Sequence, residues 1–285
     1  MRGAPLDPTY GFDVAIDEHE LSARVSAISQ AAARLSADSG LAGRIACCLD
    51  LTSLEGNETH DTIARVCADA REPLPGRPEI HAAAVCVYPR FVSAAAHLLA
   101  GSGVRVATVA GFPGGPTEAI DREIASALRD GAHEIDAVIT RRYALTENWR
   151  ALSDEIRGFR RAAGSATLKV ILATGDLGSP TVIARASQVA LEAGADFLKT
   201  STGKERVNAA LPAGLVMARQ IGAYYRATGG RAGLKPSGGI RTTRAALEWL
   251  TLIRIELGEE WVDPTLFRIG ASSLLADLRR TIHHD

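Results

Sequence analysis

Lysine is scarce in this chain: only four of its 32 basic residues are Lys, and the other 28 are Arg. Arg holds its proton under all ordinary conditions, whereas a desolvated or crowded Lys can lose its proton and form a Schiff base with a carbonyl. Three of the four lysines lie in two short glycine-containing segments, Asp196–Lys204 and Gly233–Arg241. We therefore expect an amine to be needed there, with compositional drift as the alternative. The four are Lys169, Lys199, Lys204 and Lys235.

Cysteines and long apolar runs are also few. The four cysteines include one adjacent pair and no CxxC spacing, which argues against a disulfide framework and against a zinc site. No run approaches the roughly 18 apolar residues of a membrane helix, and the first residues lack an apolar signal core. A net charge of −1 gives no general attraction for nucleic acid or anionic membranes. We expect a cytoplasmic protein with no nucleic-acid or membrane partner.

From residue 44 onward, short apolar runs alternate with longer amphipathic ones. This alternation predicts parallel βαβ units, and eight units in about 240 residues fit a single (β/α)8 TIM barrel, an α/β fold. The alternative is a doubly wound open sheet, but Leu49–Ser53 lacks the glycine-rich turn that normally follows its first strand. The candidate strands are Ile45–Leu51, Ala83–Tyr88, Val104–Ala110, Glu134–Ile139, Leu168–Thr174, Asp196–Thr200, Ala232–Pro236 and Phe267–Gly270.

Residues 1–40 differ from this pattern and are predicted to form an N-terminal extension, with residues 41–285 as the catalytic barrel. The extension contains one additional helix, from Asp17 to Leu35, with Gly40 beyond its end. One face of that helix carries Leu21, Val25, Ile28 and Ala32. We expect this apolar face to cap the barrel bottom or to pair with a second subunit, and we favour a homodimer.

Four charged residues fall at or near the same end of the predicted barrel. Asp50 is close to the end of strand 1, Asp136 is on strand 4, Lys199 ends strand 6 and Lys235 ends strand 7. Polar residues at the C-terminal ends of barrel strands form active sites. Either carboxylate alone could equally be a structural ion pair, but four such residues together favour catalysis. Lys169, at the start of strand 5, has an open role: charge inside the barrel or a structural role at its bottom.

The two strand-end lysines predict an activated amine. Two ammonium groups in one partly desolvated barrel mouth repel each other, so at least one pKa falls toward neutrality and that amine becomes nucleophilic. A nearby carboxylate can then relay protons. The residues alone do not say whether Lys199 or Lys235 forms the imine.

Two glycine- and serine-containing turns predict a phosphate site. Strand 7 leads into Gly238 and Gly239, and strand 8 leads into Gly270, Ser272 and Ser273 at the start of a helix. Glycines let backbone amides approach an anion, a helix N-terminus favours negative charge, and barrels usually bind phosphate after strands 7 and 8. The alternative is that Ser273 is a plain helix N-cap, and both roles can coexist.

Histidine does not suggest a metal site. None of the seven His residues lies at the end of a candidate strand, where a metal-dependent enzyme on this barrel would need its ligands. His133 precedes strand 4 and reads as a loop residue. We therefore expect a mechanism without a metal or other cofactor, in which the substrate is bound covalently as a lysine imine. The seven are His19, His60, His81, His97, His133, His283 and His284.

Several segments together resemble the deoxyribose-phosphate aldolase family, the class I (Schiff-base) aldolases of deoxynucleoside catabolism. The resemblance spans residues 45 to about 280 of this sequence. The matching segments are Leu49–Thr52, Val85–Phe91, Val106–Pro113, Gly131–Asp136, Leu168–Ile171, Asp196–Lys204, Gly233–Arg241 and Arg268–Leu275. This sequence departs from the family's pattern in its longer N-terminus and in the segments Thr140–Tyr143 and Ala173–Asp176. These differences could alter the preference for substrates.

The resemblance implies roles for individual residues. Lys199 would form the imine, Lys235 would lower its pKa and assist proton transfer, and Asp136 would be the general acid/base, with Asp50 in the same relay. A further set would hold the hydroxyls and phosphate of the substrate: Thr202, Gly203, Lys204, Gly238, Gly239, Gly270, Ser272 and Ser273.

The implied reaction is the reversible cleavage of 2-deoxy-D-ribose 5-phosphate to D-glyceraldehyde 3-phosphate and acetaldehyde. Its partner is thus a small phosphorylated sugar. Two alternatives stay open: a barrel that binds a phosphosugar as a sensor or scaffold, and a related Schiff-base aldolase acting on a different phosphorylated aldehyde. A sensor has no need of two lysines and an aspartate together.

Overall fold

A computed structural model of the chain describes residues 16–35 and 39–282. Most of the predicted N-terminal extension before its helix, and also His283 and His284, therefore lie outside the described residues. Eight parallel strands form one sheet in the order β7-β6-β5-β4-β3-β2-β1-β8. They are β1 Leu49–Ser53, β2 Ala84–Val87, β3 Arg105–Ala110, β4 Glu134–Val138, β5 Thr167–Ile171, β6 Phe197–Lys199, β7 Gly233–Lys235 and β8 Ile269–Ala271.

The two ends of this sheet meet, so the sheet closes into a barrel. The amide of Leu234 donates to the carbonyl of Leu266 at 2.9 Å, and the amide of Gly270 donates to that of Pro236 at 2.9 Å. These bonds join the β7 and β8 segments. The predicted TIM barrel is confirmed, and the open-sheet alternative is wrong.

Helices alternate with the strands and cover the barrel. In the part of the chain that the structure describes, no helix is both long enough and apolar enough to cross a membrane. The helices are α1 Glu18–Ala33, α2 Ser39–Cys47, α3 His60–Arg71, α4 Val92–Leu98, α5 Ile120–Arg129, α6 Arg141–Leu145, α7 Trp149–Ala163, α8 Thr174–Leu177, α9 Pro180–Glu192, α10 Leu211–Thr228, α11 Thr243–Glu256 and α12 Leu274–Ile282.

Local sequence signals account for several helix starts. Thr59 and Thr62 form a reciprocal capping box before α3, and the Thr242 side chain accepts from the amide of Ala245 before α11. Proline lies in the first turn of α9 and α10, where its missing amide costs no intrahelical bond. The strands are almost wholly buried, which matches a parallel sheet covered by helices.

Two of the predicted strands extend too far. Residues 45–47 of the predicted first strand belong to α2, because Ala42, Ile45 and Ala46 repeat at helical spacing and all are fully buried. Strand β5 ends at Ile171, so Thr174 begins the short helix α8 instead. The proposed domain boundary at residue 40 falls inside α2, and the division into extension and barrel remains a proposal.

The apolar face of α1 packs within its own chain. Leu21, Ile28 and Ala32 are buried, and the helix lies against α10 and α11. Its Arg24 pairs with Glu256 of α11 at 2.6 Å. The two expected positions of this face, under the barrel or against a second subunit, are therefore wrong, because the outer helices of the same barrel cover it.

Candidate active site

Lys199 and Lys235 are the last residues of β6 and β7, and they are register partners in that parallel pair. Partners in a parallel pair point to the same face of the sheet. Both side chains are almost completely buried inside the barrel. The structure therefore places two amines side by side at the C-terminal end of the barrel, as the sequence predicted.

Asp136, on β4, contacts both of these lysines. Its Oδ2 accepts from the ammonium groups of Lys199 and Lys235, each at 2.7 Å. Its Oδ1 accepts from Lys169 at 2.8 Å. One fully buried carboxylate is thus shared by three lysines.

Three further charged residues are connected to this cluster through Lys169 and Lys235. Arg268 pairs with Glu134 at 2.8 Å and with Asp50 at 2.6 Å. Glu134 also lies 2.5 Å from the ammonium of Lys169. Asp50 contacts Lys235 through its other oxygen. The barrel interior is therefore one connected ion-pair network.

The buried part of this network has four cations and three carboxylates, and the exposed Arg105 also lies 3.9 Å from Glu134. Buried charges are stable only when they are paired, so a cluster with one excess positive charge favours release of one proton. Among the described residues, Asp136 is the one carboxylate within ion-pair distance of Lys199, whereas Lys235 has Asp136 and Asp50. Lys169 has those two and Glu134. Lys199 is thus the lysine least compensated by negative charge.

The pKa values agree with this pairing. Burial lowers the pKa of Lys199; Asp136 opposes that effect and the neighbouring Lys235 adds to it. Burial acts in the same direction on Lys235, but Asp136 and Asp50 outweigh it and raise its pKa. The pKa of Lys169 is raised as well, because Asp136 and Glu134 outweigh burial. Of the three lysines, only Lys199 is shifted toward the neutral amine, and burial contributes more to that shift than Lys235 does.

The carboxylates are held in their charged form. Burial alone would raise the pKa of Asp136, but the three lysines hold it well below its usual range. Lys235 and Arg268 likewise keep the pKa of Asp50 low despite its burial. The buried lysines therefore face carboxylates that keep their negative charge, with Asp136 next to Lys199.

Three members of this network were not predicted as site residues. Lys169 lies in the barrel interior and pairs with Glu134 and Asp136; its role in the reaction stays open. Glu134 precedes Asp136 by two residues, so a strict strand alternation places both on the inner face, and this signal was available. Arg268 interrupts an otherwise apolar run before β8, and its charge was the signal there.

All eight residues predicted to bind the hydroxyls and phosphate of the substrate line one pocket at the same end of the barrel. The amides of Gly238, Gly239, Ser272 and Ser273 have no hydrogen-bond acceptor within residues 16–35 and 39–282. Backbone amides of this kind form anion sites. The amide of Gly203, in contrast, donates to the carboxylate of Glu205 at 3.2 Å.

Gly270 connects this pocket to the lysines. A Cβ at this position would lie 3.2 Å from Cε of Lys235 and 2.5 Å from Oγ of Ser237. Because no side chain fits there, the backbone of β8 can approach the end of β7. A substrate that reaches from Lys199 into the pocket would pass this point.

The histidines are away from this centre where the structure describes them. His133 precedes β4, and its Nδ1 accepts from the amide of Val106 at 3.0 Å. Burial lowers the pKa of this imidazole. In residues 16–35 and 39–282, no group of three or more His, Cys, Asp or Glu side chains is arranged to hold a metal ion.

Most of the chain is similar to known aldolases. The model of the DeoC/LacD family aldolases matches residues 44–280. A deoxyribose-phosphate aldolase of Bos taurus is 51% identical over 253 residues, covering 83% of this chain and 79% of its own. That of Homo sapiens is 50% identical over 252 residues, with the same coverage of both chains.

A solved structure gives the same result for the fold. A Toxoplasma gondii ME49 protein, provisionally named deoxyribose-phosphate aldolase, superimposes with a TM-score of 0.76 at 27% identity. The match covers 85% of this chain and 94% of that one. The barrel, the buried lysines and these similarities lead to one conclusion: this chain belongs to the DeoC/LacD family of aldolases.

Proposed function

We propose that this aldolase reversibly cleaves 2-deoxy-D-ribose 5-phosphate to D-glyceraldehyde 3-phosphate and acetaldehyde through a Schiff base on Lys199. The observation that carries the proposal is the sharing of Asp136 by Lys199 and Lys235, with Lys199 the less compensated of the two. The names of the mammalian relatives supply the substrate.

The reaction begins at the open-chain aldehyde of the sugar. The neutral Nζ of Lys199 attacks C1, and loss of water from the carbinolamine gives an iminium. The iminium nitrogen is positively charged and withdraws electrons from C2. Asp136 faces this charge at hydrogen-bond distance from the Lys199 nitrogen, so it stabilises the cation as it forms.

Carbon–carbon cleavage follows from this charge. A base accepts the proton of the 3-hydroxyl, the C2–C3 bond breaks, and D-glyceraldehyde 3-phosphate leaves as the electron pair forms an enamine at C1–C2. Proton transfer to C2 gives the imine of acetaldehyde, which water hydrolyses to restore Lys199. Asp136, Lys235 and a water molecule form the proton relay, because Lys235 contacts both Asp136 and Asp50.

The phosphate would occupy the pocket that Gly238, Gly239, Ser272 and Ser273 line. Their amides would donate to its oxygens, and the first turn of α12 would favour its negative charge. Lys204 would add an ammonium at the mouth of the pocket. Binding at this remote group would orient C1 at Lys199 and so contribute to the rate of the chemical step.

An acetaldehyde-release assay on a panel of sugar phosphates tests the proposal. The panel contains 2-deoxy-D-ribose 5-phosphate, 2-deoxy-D-ribose and a six-carbon 2-deoxy sugar phosphate, all of which would release acetaldehyde. It also contains D-ribose 5-phosphate, for which glycolaldehyde is measured because C2 of this sugar carries a hydroxyl. We expect the highest kcat/KM for 2-deoxy-D-ribose 5-phosphate. A higher value for another phosphorylated sugar favours the related-aldolase alternative, and binding without release from any of them favours the sensor.

We further propose that the reaction needs no metal ion or other cofactor, since the lysine imine itself is the electron sink. Dialysis against EDTA should leave kcat unchanged. Loss of turnover on chelation that a divalent metal restores would contradict this mechanism.

The assembly and location of the protein are also proposals. We propose a homodimer, although α1 does not supply the interface that the sequence suggested, and measurement of the mass in solution tests it. A cytoplasmic location is supported by the four free cysteines, because reducing compartments keep thiols reduced. Cell fractionation with an antibody to the chain tests this second proposal.

A further inference from the structure

The pocket predicted to hold phosphate has an acidic side chain at its mouth. Glu55, in the loop after β1, lines the pocket together with Lys204 of the loop after β6. Its Oε2 lies 2.8 Å from the ammonium of Lys204. An anion at the entrance of an anion site repels the ligand and competes for its cation. This side chain therefore acts against the binding of phosphate.

The position of Glu55 is built into its loop. The buried carboxylate of Glu58 accepts hydrogen bonds from the amides of Glu55 and Gly56, the latter at 3.0 Å. Arg90 pairs with Glu58 and donates to the carbonyl of Gly56, both at 3.4 Å. These bonds hold the backbone from which the Glu55 side chain, 67% exposed, reaches Lys204.

The loop after β6, which carries Lys204, is also held by hydrogen bonds and an ion pair. The carboxylate of Glu205 accepts from the amides of Thr202 and Gly203, at 3.0 Å and 3.2 Å. Arg141 pairs with the same carboxylate at 3.2 Å. The amide of Lys204 donates to Oγ1 of Thr202 at 3.1 Å. The Glu55–Lys204 contact thus joins two anchored loops across the mouth of the pocket.

We propose that Glu55 is a specificity-determining residue that weakens the binding of phosphorylated substrates relative to unphosphorylated ones. A phosphate dianion must displace Glu55 from Lys204 and then remain close to its negative charge. A substrate with a neutral 5-hydroxyl meets neither cost. The inference rests on the proposed function for its choice of substrates, but the anion competition itself depends only on the pocket.

Glu55→Gln tests this role, because it removes the charge and keeps the size of the side chain. We expect the KM for 2-deoxy-D-ribose 5-phosphate to fall about fivefold, the scale of one exposed ion pair. The KM for 2-deoxy-D-ribose should not fall. The matched control is Glu79→Gln, since the exposed Glu79 pairs with Arg77 at 2.5 Å and does not line the pocket. A loss of structure in Glu55→Gln would not lower the KM for 2-deoxy-D-ribose 5-phosphate, so the expected result cannot come from misfolding.

Calorimetric titration with inorganic phosphate separates this inference from the proposed function. Glu55→Gln should bind phosphate more tightly than the unaltered chain and the control variant. Equal or weaker binding, or no binding by any of the three, would overturn the role of Glu55. If the unaltered chain releases no acetaldehyde from either sugar, the proposed function fails, but the titration still decides whether Glu55 opposes an anion.

Discussion

Lys199 and Lys235 donate to the same oxygen of Asp136, each at 2.7 Å, from neighbouring positions on β6 and β7. They differ in what else they contact, because Lys235 also reaches Asp50. The sequence does not distinguish these two lysines, but the structure does. Lys235 stays a cation, and Lys199 is the amine that can lose its proton. This difference is the physical basis for assigning the imine to Lys199.

Replacement of Lys235 should raise the pKa of Lys199. In Lys235→Leu the neighbouring cation is gone, and Lys199 no longer shares Oδ2 of Asp136 with it. Because only the neutral amine attacks the aldehyde, the acid limb of kcat/KM should move to higher pH. Turnover at neutral pH should fall by about 10²- to 10⁴-fold, the scale of lost proton-transfer catalysis. An unchanged pH profile would contradict the role of Lys235.

The lowered pKa of Lys199 also has a stability consequence. The unfolded chain holds this proton up to the ordinary lysine pKa, whereas the folded chain releases it at lower pH. The free energy of unfolding should therefore gain a rising contribution with pH between the folded pKa and about 10.5. In Lys199→Met this rise should be missing. Urea denaturation of both proteins between pH 7 and about 10 measures it, and parallel curves would contradict the shift.

Asp136→Asn should destabilise the fold strongly. It removes the charge that three buried lysines share, and leaving buried charges unpaired costs about 3–5 kcal/mol. The matched control is Asp69→Asn, because Asp69 forms a partly exposed pair with Arg279 at 2.9 Å near the protein surface. That change should cost less than about 1 kcal/mol. Equal losses in urea denaturation would show that the central network does not depend on Asp136.

Gly270→Ala should reduce turnover while leaving a folded barrel. The added Cβ would lie 2.5 Å from Oγ of Ser237 and 3.2 Å from Cε of Lys235, so one of them must move. A misplacement of about 1 Å can cost about 10²-fold in rate. Gly114→Ala is the control, since a Cβ there meets nothing within 4 Å. Wild-type kcat in Gly270→Ala would mean that the lysine tolerates this displacement.

The fold and the common location of four charged residues could be predicted from the sequence because both depend on local patterns. Alternating apolar runs indicated the barrel, and charges at the ends of apolar runs marked Asp50, Asp136, Lys199 and Lys235. The first strand was misplaced since residues 45–49 are apolar throughout, and such a run fits a buried helix end and a buried strand equally.

The remaining contacts depend on register and closure, which a single sequence does not contain. Arg268 reaches Glu134 and Asp50 across 134 and 218 residues. The pair of Glu55 and Lys204 spans 149 residues. The choice between the two lysines likewise required the position of Asp50. These separations along the chain explain why the pairings within the network could not be predicted from the sequence.

The most direct test of the account is chemical trapping of the imine. The chain, Lys235→Leu and Lys199→Arg are each incubated with acetaldehyde, reduced with borohydride and digested for peptide mass spectrometry. The reduced adduct should appear on the peptide containing Lys199 in the first two proteins, more readily at alkaline pH in Lys235→Leu, and on no peptide of Lys199→Arg, which keeps the charge but lacks the amine. An adduct on Lys235 in the unaltered chain, or none under any condition, would contradict the assignment.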